Sequence, residues 1–389
     1  MTESTAQAMP PDVALPFFSD GYAGARTTFL LAAKAAGAQL ASHVLPAAGR
    51  PGCEPQGEAL VTDVAWLGPW SAESVLMLVS GTHGIEGHAG SACQASLLAS
   101  GLPGSADIAT LLVHALNPYG FANGRRVNED NVDLNRNFVD HAAPPHNPAY
   151  DEVHGALVPA DWTGPEWAAA DQWLVAYIKA NGARALQAAV TQGQYRHPDG
   201  LFYGGTAPVW SNTVLAAIAG RYLTECRHVA YIDLHTGLGA FAVGEPIFRG
   251  GLDAGALQRA RDWYGAALTV SQDGTSSSTP IIGNTASMIA ASLHRDQVLT
   301  AITLEFGTLS AGAVLTALRA DNWLHLQDAP DLELARQIGQ QMRDAFYPAD
   351  PVWRTAVLAR SREVADQALA GLAAQARLAS RSSMSRDRV

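Results

Sequence analysis

From Leu60 onward, short apolar runs alternate with longer alanine-rich stretches of helical period. Val75 to Val79, Leu111 to Leu116, the VAYIDL run before His235 and the TAITL run before Glu305 have the length and composition of buried strands. The alanine-rich stretches between them read as helices. Such alternation predicts an α/β fold, a single mixed sheet with helices on both faces. Ligands of such sheets gather at strand ends, so the active site is expected there. Ahead of this pattern lie a polar, proline-bearing leader at residues 1–16, expected to be flexible, a stretch FLLAAKAAGAQLASHVL read as helical, and a turn-rich GRPGCEPQGE. One main domain is expected over 17–350. A long alanine-rich helix follows at 351–380, free either to pack on the domain or to mediate a homo-oligomer, and then a tail at 381–389 expected to be disordered.

Several strand-like runs end on residues that carry chemistry. In SGTHGIEGHAG, His83 and Glu86 stand three apart where a strand gives way to glycine-rich backbone. Imidazole and carboxylate are both good zinc ligands, and a catalytic zinc usually takes three protein ligands. His235, closing its own strand, is the candidate third; His88 is a rival, read rather as a surface or supporting histidine. A lone histidine after a strand is ordinarily a hydrogen-bonded structural group, so the pieces gain meaning only together. The segment NPYGFANGRRVNEDNVDLNRNF adds Arg125, Arg126 and Arg136, and arginines clustered near a metal suggest an anionic substrate. Glu305 sits among apolar neighbours just before Gly307. It is either salt-bridged to an interior arginine or a general base whose surroundings raise its proton affinity.

The order H-x-x-E, NP-x-GF, R-x-N with DLNRNF, a strand-terminal His and a strand-terminal Glu resembles the carboxypeptidase A-like zinc peptidases. The wording SGTHGIEGHAGSA, RRVNEDNVDLNRNF, GQYRHPDGLFYGG and LEFGT is similar to a bacterial branch of largely unassigned metallopeptidase-like proteins. The resemblance spans about Phe17 to Tyr347 and is most specific in DLNRNF. It implies a zinc-carboxypeptidase-like fold with one zinc per chain, held by His83, Glu86 and His235. Glu305 would be the base or proton shuttle, Arg126 the oxyanion partner, and Asn135 with Arg136 the pair that holds the substrate's free carboxylate. Asp133 and Asp233 are alternative partners for a zinc-bound imidazole. The implied chemistry is hydrolysis of an amide by water activated at the metal.

One departure bears on the substrate. Peptide-cleaving members carry a mobile tyrosine between the last zinc histidine and the catalytic glutamate, whereas the tyrosine in that interval here is Tyr264, in a helical run. The block GQYRHPDGLFYGG offers Gln194, Tyr195, Arg196, His197 and Tyr203 as candidate pocket residues on a loop. Three activities therefore compete. A carboxypeptidase-like hydrolase would act on a small peptide with a free carboxylate, and a deacylase or amidase on an N-acyl amino acid. A non-catalytic zinc protein would only bind a carboxylate, and it would need neither Glu305 nor Arg126.

Composition narrows the setting. A net charge of −11 argues against a nucleic-acid partner. Cys53, Cys93 and Cys226 show no C-x-x-C spacing, against a disulfide framework or a cysteine metal site. No apolar run is long enough to span a bilayer and no leader has a secretory pattern, so the expectation is a cytoplasmic enzyme without membrane contact. The chain has no G-x-S-x-G, no H-E-x-x-H and no phosphate loop.

Overall fold

A computed structural model describes residues 15–47, 51–54, 57–102 and 107–386, with side chains described as far as Leu378. Seven strands form one sheet: β1 (Gln39–Val44), β2 (Val61–Leu67), β3 (Ser74–Val79), β4 (Ile108–His114), β5 (His228–Gly237), β6 (Gly244–Phe248) and β7 (Val298–Gly307). Their order is β1-β2-β4-β3-β5-β7-β6. The four inner strands β4, β3, β5 and β7 run parallel, and β1, β2 and β6 join antiparallel. The fold is the expected α/β type with a single mixed sheet.

The parallel strands read as unbroken apolar runs because helices cover both of their faces. Leu76, Leu78, Ile232, Leu234, Ile302 and Leu304 point to one face, where the helices Gly87–Ala99 and Pro351–Arg386 supply Ala92, Leu97, Trp353 and Val357. Val75, Met77, Val79, Val229, Tyr231 and Ala301 point to the other, beneath the helices Trp210–Tyr222 and Thr285–Ser292. Among the described residues no helix is long and apolar enough to cross a membrane.

Two boundaries differ from the sequence expectation. The stretch read as one helix through QLASHVL breaks: the helix Tyr22–Ala35 ends before Gly37, whose φ of 76° only glycine adopts at little cost, and QLASHV becomes the edge strand β1. Hydrogen bonding to β2 here overrides helix propensity. The C-terminal helix is no appendage, since Trp353, Val357, Leu358, Val364, Ala365, Ala368 and Leu372 are buried in the core under the sheet. It runs to Arg386, past the boundary expected at 380, because RSSMSR holds neither glycine nor proline to stop it. Residues 387–389 of the expected tail lie outside the described residues, as does the leader up to residue 14.

Candidate active site

The parallel register sets the site. His235 and Glu305 are paired neighbours at the C-terminal ends of β5 and β7, and Asp233 pairs with Thr303 one pleat earlier. Side chains two apart share a face, so Tyr231, Asp233 and His235 lie on one side with Ala301, Thr303 and Glu305. Hydrophobic packing covers this face until the strands end. There the polar residues begin.

His83 and Glu86 enter from the turn after β3. The Gly84 amide donates to the Arg126 carbonyl at 3.0 Å and the Ile85 amide to the Arg125 carbonyl at 2.8 Å, which ties H-x-x-E to the arginine segment. Glycine is required at 84, where a Cβ would come within 2.0 Å of the Gly120 carbonyl carbon. Glu86 stands at the N-terminal boundary of the helix Gly87–Ala99, whose dipole favours a carboxylate.

The donor atoms converge. His83 Nδ1 lies 2.8 Å from Glu86 Oε1, His235 Nδ1 lies 2.9 Å from Glu86 Oε2, and the two Nδ1 atoms are 3.1 Å apart. Zinc bonds of 2.0–2.1 Å in a tetrahedron put donor atoms about 3.3 Å apart, close to the spacing of the two Nδ1 atoms from each other and from the Glu86 carboxylate. The opposite nitrogens meet carboxylates: His83 Nε2 is 3.3 Å from Asp133 Oδ1, and His235 Nε2 is 2.9 Å from Asp233 Oδ2. The sequence left Asp133 and Asp233 as alternatives; each serves one ring, in the carboxylate–imidazole arrangement common behind metal ligands. Asp233 is fixed in turn by the hydroxyls of Thr82 and Thr285, both donating at 2.8 Å.

The charges also suit a cation. Burial opposes ionisation of Glu86, but His83 and His235 outweigh it and hold the carboxyl well below its usual range. Asp133 follows the same pattern, with Arg126 and Arg136 overcoming burial. Burial disfavours charge on His235, yet Asp233 and Glu86 push it up to about 10. Three buried carboxylates, Glu86, Asp133 and Asp233, thus concentrate negative charge around this point. A divalent metal would balance that charge with the rings neutral.

Arg126 lies beside this cluster. Its Nε donates to Asp133 at 3.0 Å and its Nη1 to Glu86 at 3.1 Å, while Nη2 is 2.8 Å from His83 Nε2. Asn135 is held by the Thr285 amide, which donates to its Oδ1 at 3.0 Å, and its Nδ2 lies 3.3 Å from His235 Nε2. Arg136 spends three of its five N–H groups on the backbone carbonyls of Thr191 and Asn135. Glu305 Oε1 accepts the Leu238 amide at 3.0 Å. Burial and the charge of Glu86 push the Glu305 carboxyl up to about 7, where a general base is most effective near neutral pH.

All seven sequence-selected residues line a single cavity, whose walls carry Ile178, Leu186, Val190, Leu238, Val314 and Phe346. An apolar cavity with a few convergent polar groups is the usual form of a small-molecule site. Other candidates fall elsewhere. Arg125 pairs with Asp321 at 3.2 Å. His88 stacks on Tyr347, with centroids 4.7 Å apart, and burial lowers its pKa to about 3. Tyr264 is buried in the core. Within GQYRHPDGLFYGG, Gln194 holds the loop together and Tyr195 donates to the Arg136 carbonyl at 2.7 Å. Arg196 and His197 pair with Asp151, and Tyr203 lines a different cleft.

The residue of that loop that reaches the cavity is Phe202, which sequence reasoning passed over. Its φ of 52° is uncommon for a bulky side chain, and its ring lies under both Arg126 and Arg136, at 4.9 Å and 5.3 Å. Arg249, at the end of β6, also lines the cavity and was also missed. Its signal was present: GEPIFRGG is a strand-like run ending on a polar residue before glycine, the pattern that picked out His235 and Glu305.

A family model matches residues 18–360, and its description is protein of unknown function (DUF2817). No curated protein matches the sequence. Among solved structures, carboxypeptidase A from Helicoverpa armigera is similar, with 13% identity over 97% of this chain and 78% of that chain at a TM-score of 0.48. Bovine thrombin-activatable fibrinolysis inhibitor in complex with tick carboxypeptidase inhibitor matches with 11% identity over 90% and 97%, at a TM-score of 0.40. The succinylglutamate desuccinylase from Chromobacterium violaceum matches with 14% identity over 83% and 74%, at a TM-score of 0.35.

Proposed function

Since this chain belongs to the DUF2817 family, we propose from its site that it is a zinc-dependent hydrolase cleaving an amide bond next to a free carboxylate. The observation that carries the reading is the convergence of His83 Nδ1, Glu86 and His235 Nδ1 at 2.8 to 3.1 Å beside a buried Glu305 in the same cavity. A zinc ion held there would polarise the scissile carbonyl and lower the pKa of a water molecule towards neutrality.

The protein's own groups do the rest. Glu305, with its raised proton affinity, takes a proton from the attacking water and returns it to the leaving nitrogen. Arg126, next to Glu86 and His83, offers its guanidinium to the oxygen that gains charge as the carbonyl becomes tetrahedral. Arg136 and Asn135 take the substrate carboxylate, Arg136 through the N–H groups that Thr191 and Asn135 leave free. Phe202 holds both guanidiniums in place from below. Asp133 and Asp233 fix the rings and keep their Nδ1 lone pairs facing inward.

An N-acyl amino acid deacylase on the same scaffold is the second reading, favoured by a cavity lining that includes no tyrosine. Both are tested by metal analysis and a panel of N-acyl amino acids and short peptides, each with a free and an amidated carboxyl end. About one zinc per chain is expected, with hydrolysis of the free-carboxylate forms. Glu305→Gln should keep the zinc and lose turnover at least about 100-fold. Turnover within about tenfold of the native enzyme would remove Glu305 as the base.

A further inference from the structure

Arg249 is treated by the fold unlike the other interior arginines. Arg26, Arg125 and Arg126 each make an ion pair with an aspartate at 2.6 to 3.2 Å. Arg249 makes none among the described residues. Its Nε donates to Thr303 Oγ1 at 3.0 Å, and Nη1 and Nη2 reach Ser271 Oγ and Ser278 Oγ at 3.3 and 3.4 Å, all neutral hydroxyls. Burial lowers its pKa, and Glu305, Asp233 and Glu245 oppose that only from a distance. Glu245 is itself taken up by Thr269 and Ser277. An interior cation without a counter-ion is costly, and it persists where something else supplies the negative charge.

The position says what that is. Arg249 lines the same cavity as Glu305, and it keeps part of its surface accessible. Thr303, which holds its Nε, stands two residues before Glu305 on the same face of β7, about 7 Å away along the strand. That is about the span of an amino-acid side chain between a backbone carbonyl and a terminal carboxylate. Arg126 and Arg136 already serve the other charges expected of a substrate. A third guanidinium lining this cavity has no task in cleaving the amide of a neutral amino acid.

We propose that Arg249 receives a second carboxylate on the substrate, so that the enzyme selects amides of aspartate or glutamate over those of neutral amino acids. This rests on the hydrolase reading of the same cavity. The hydroxyls of Thr303, Ser271 and Ser278 aim the guanidinium without neutralising it, and the substrate's acidic side chain completes the pair. The rival role is structural, with Arg249 tying Ser271 and Ser278 to β7. A structural role would affect acidic and neutral substrates alike.

The test compares N-acetyl and alanyl derivatives of L-glutamate with those of L-glutamine, equal in shape and differing by one charge, on zinc-loaded protein. Native enzyme should favour the glutamate compounds about 100-fold in kcat/KM, the scale of a hydrogen-bonded charge left without its partner. Arg249→Met should reduce that preference to less than about tenfold by raising KM for glutamate compounds, with glutamine compounds changed less than about threefold, and Arg249→Lys should restore part of it. Native enzyme cleaving both series within about threefold overturns the proposal with no variant needed, as does an equal loss on both series in Arg249→Met. If neither series is cleaved, calorimetry of N-acetylglutamate and N-acetylglutamine on the native protein separates the two readings. Glutamate-selective binding that Arg249→Met abolishes would uphold the anion site and count against hydrolysis; equal binding would sink the anion site.

Discussion

Among the described residues two clusters of histidine and carboxylate bring their donor atoms within 4.8 Å of one another, and they differ in what surrounds them. His83, Glu86 and His235 form one; His154, His197 and Asp199 form the other. In the first, the rings meet at 62° with their Nδ1 atoms 3.1 Å apart, so the lone pairs converge. In the second, the rings stack at 3.9 Å and 25°, so their in-plane lone pairs run side by side. The first is buried, and Asp133 and Asp233 stand behind its rings. The second is partly open to solvent, and His197 Nε2 is already bound to Asp151 at 2.8 Å. Proximity of suitable side chains is thus insufficient. A metal site also needs rings turned towards one point and carboxylates that keep them turned.

The sharpest contrast is in metal content. His235→Ala should abolish zinc binding while His197→Ala leaves about one zinc per chain, and at a thousandfold excess of zinc over Kd the first variant forgoes about 4 kcal/mol of stabilisation, visible as a lower Tm. Normal zinc in His235→Ala would dissolve the comparison. The carboxylates behind the rings come next: Asp233→Asn should weaken zinc about 10- to 100-fold in a competition titration, and Asp199→Asn should leave it unchanged. Equal effects would mean that the backing carboxylate does not distinguish the clusters.

The smallest expected effect is in the pH profile. Glu305 must be ionised to accept a proton, and burial with the Glu86 charge raises its pKa to about 7. Activity therefore falls as the pH drops through that pKa. A cation on the triad favours the carboxylate and draws the limb downward, so the acid limb of kcat/KM should lie between about 4.5 and about 7 and vanish from the residual activity of Glu305→Gln. A limb unchanged in that variant would assign it to another group.

What the sequence disclosed and what it hid divide along a physical line. His235 and Glu305 were legible because each ends an apolar run where the pattern gives no packing reason for a polar group, and His83 with Glu86 because they stand three apart in glycine-rich backbone just past such a run. The sheet was legible because strands covered on both faces are apolar throughout. Residues whose role depends on a distant neighbour were hidden. QLASHV became a strand through pairing with β2, and the tasks of Asp133 and Asp233 emerged only when two rings arrived from separate strands. Phe202 was masked by more polar neighbours in its loop. The lining of Ile178 and Leu186 comes from two consecutive helices and that of Val314 from a helix much later in the chain, and an apolar residue facing a cavity looks in sequence like one facing a core.

The C-terminal helix carries one last implication, for the timing of maturation. Trp353 Nε1 donates to the Gly307 carbonyl at 2.9 Å, two residues beyond Glu305, and the rest of the helix roofs the reverse side of β5 and β7. During synthesis the strands that bear His235 and Glu305 emerge well before the segment that covers them. A chain that has emerged only as far as β7 therefore holds every reactive residue of the site while lacking the helix that backs the strands bearing His235 and Glu305.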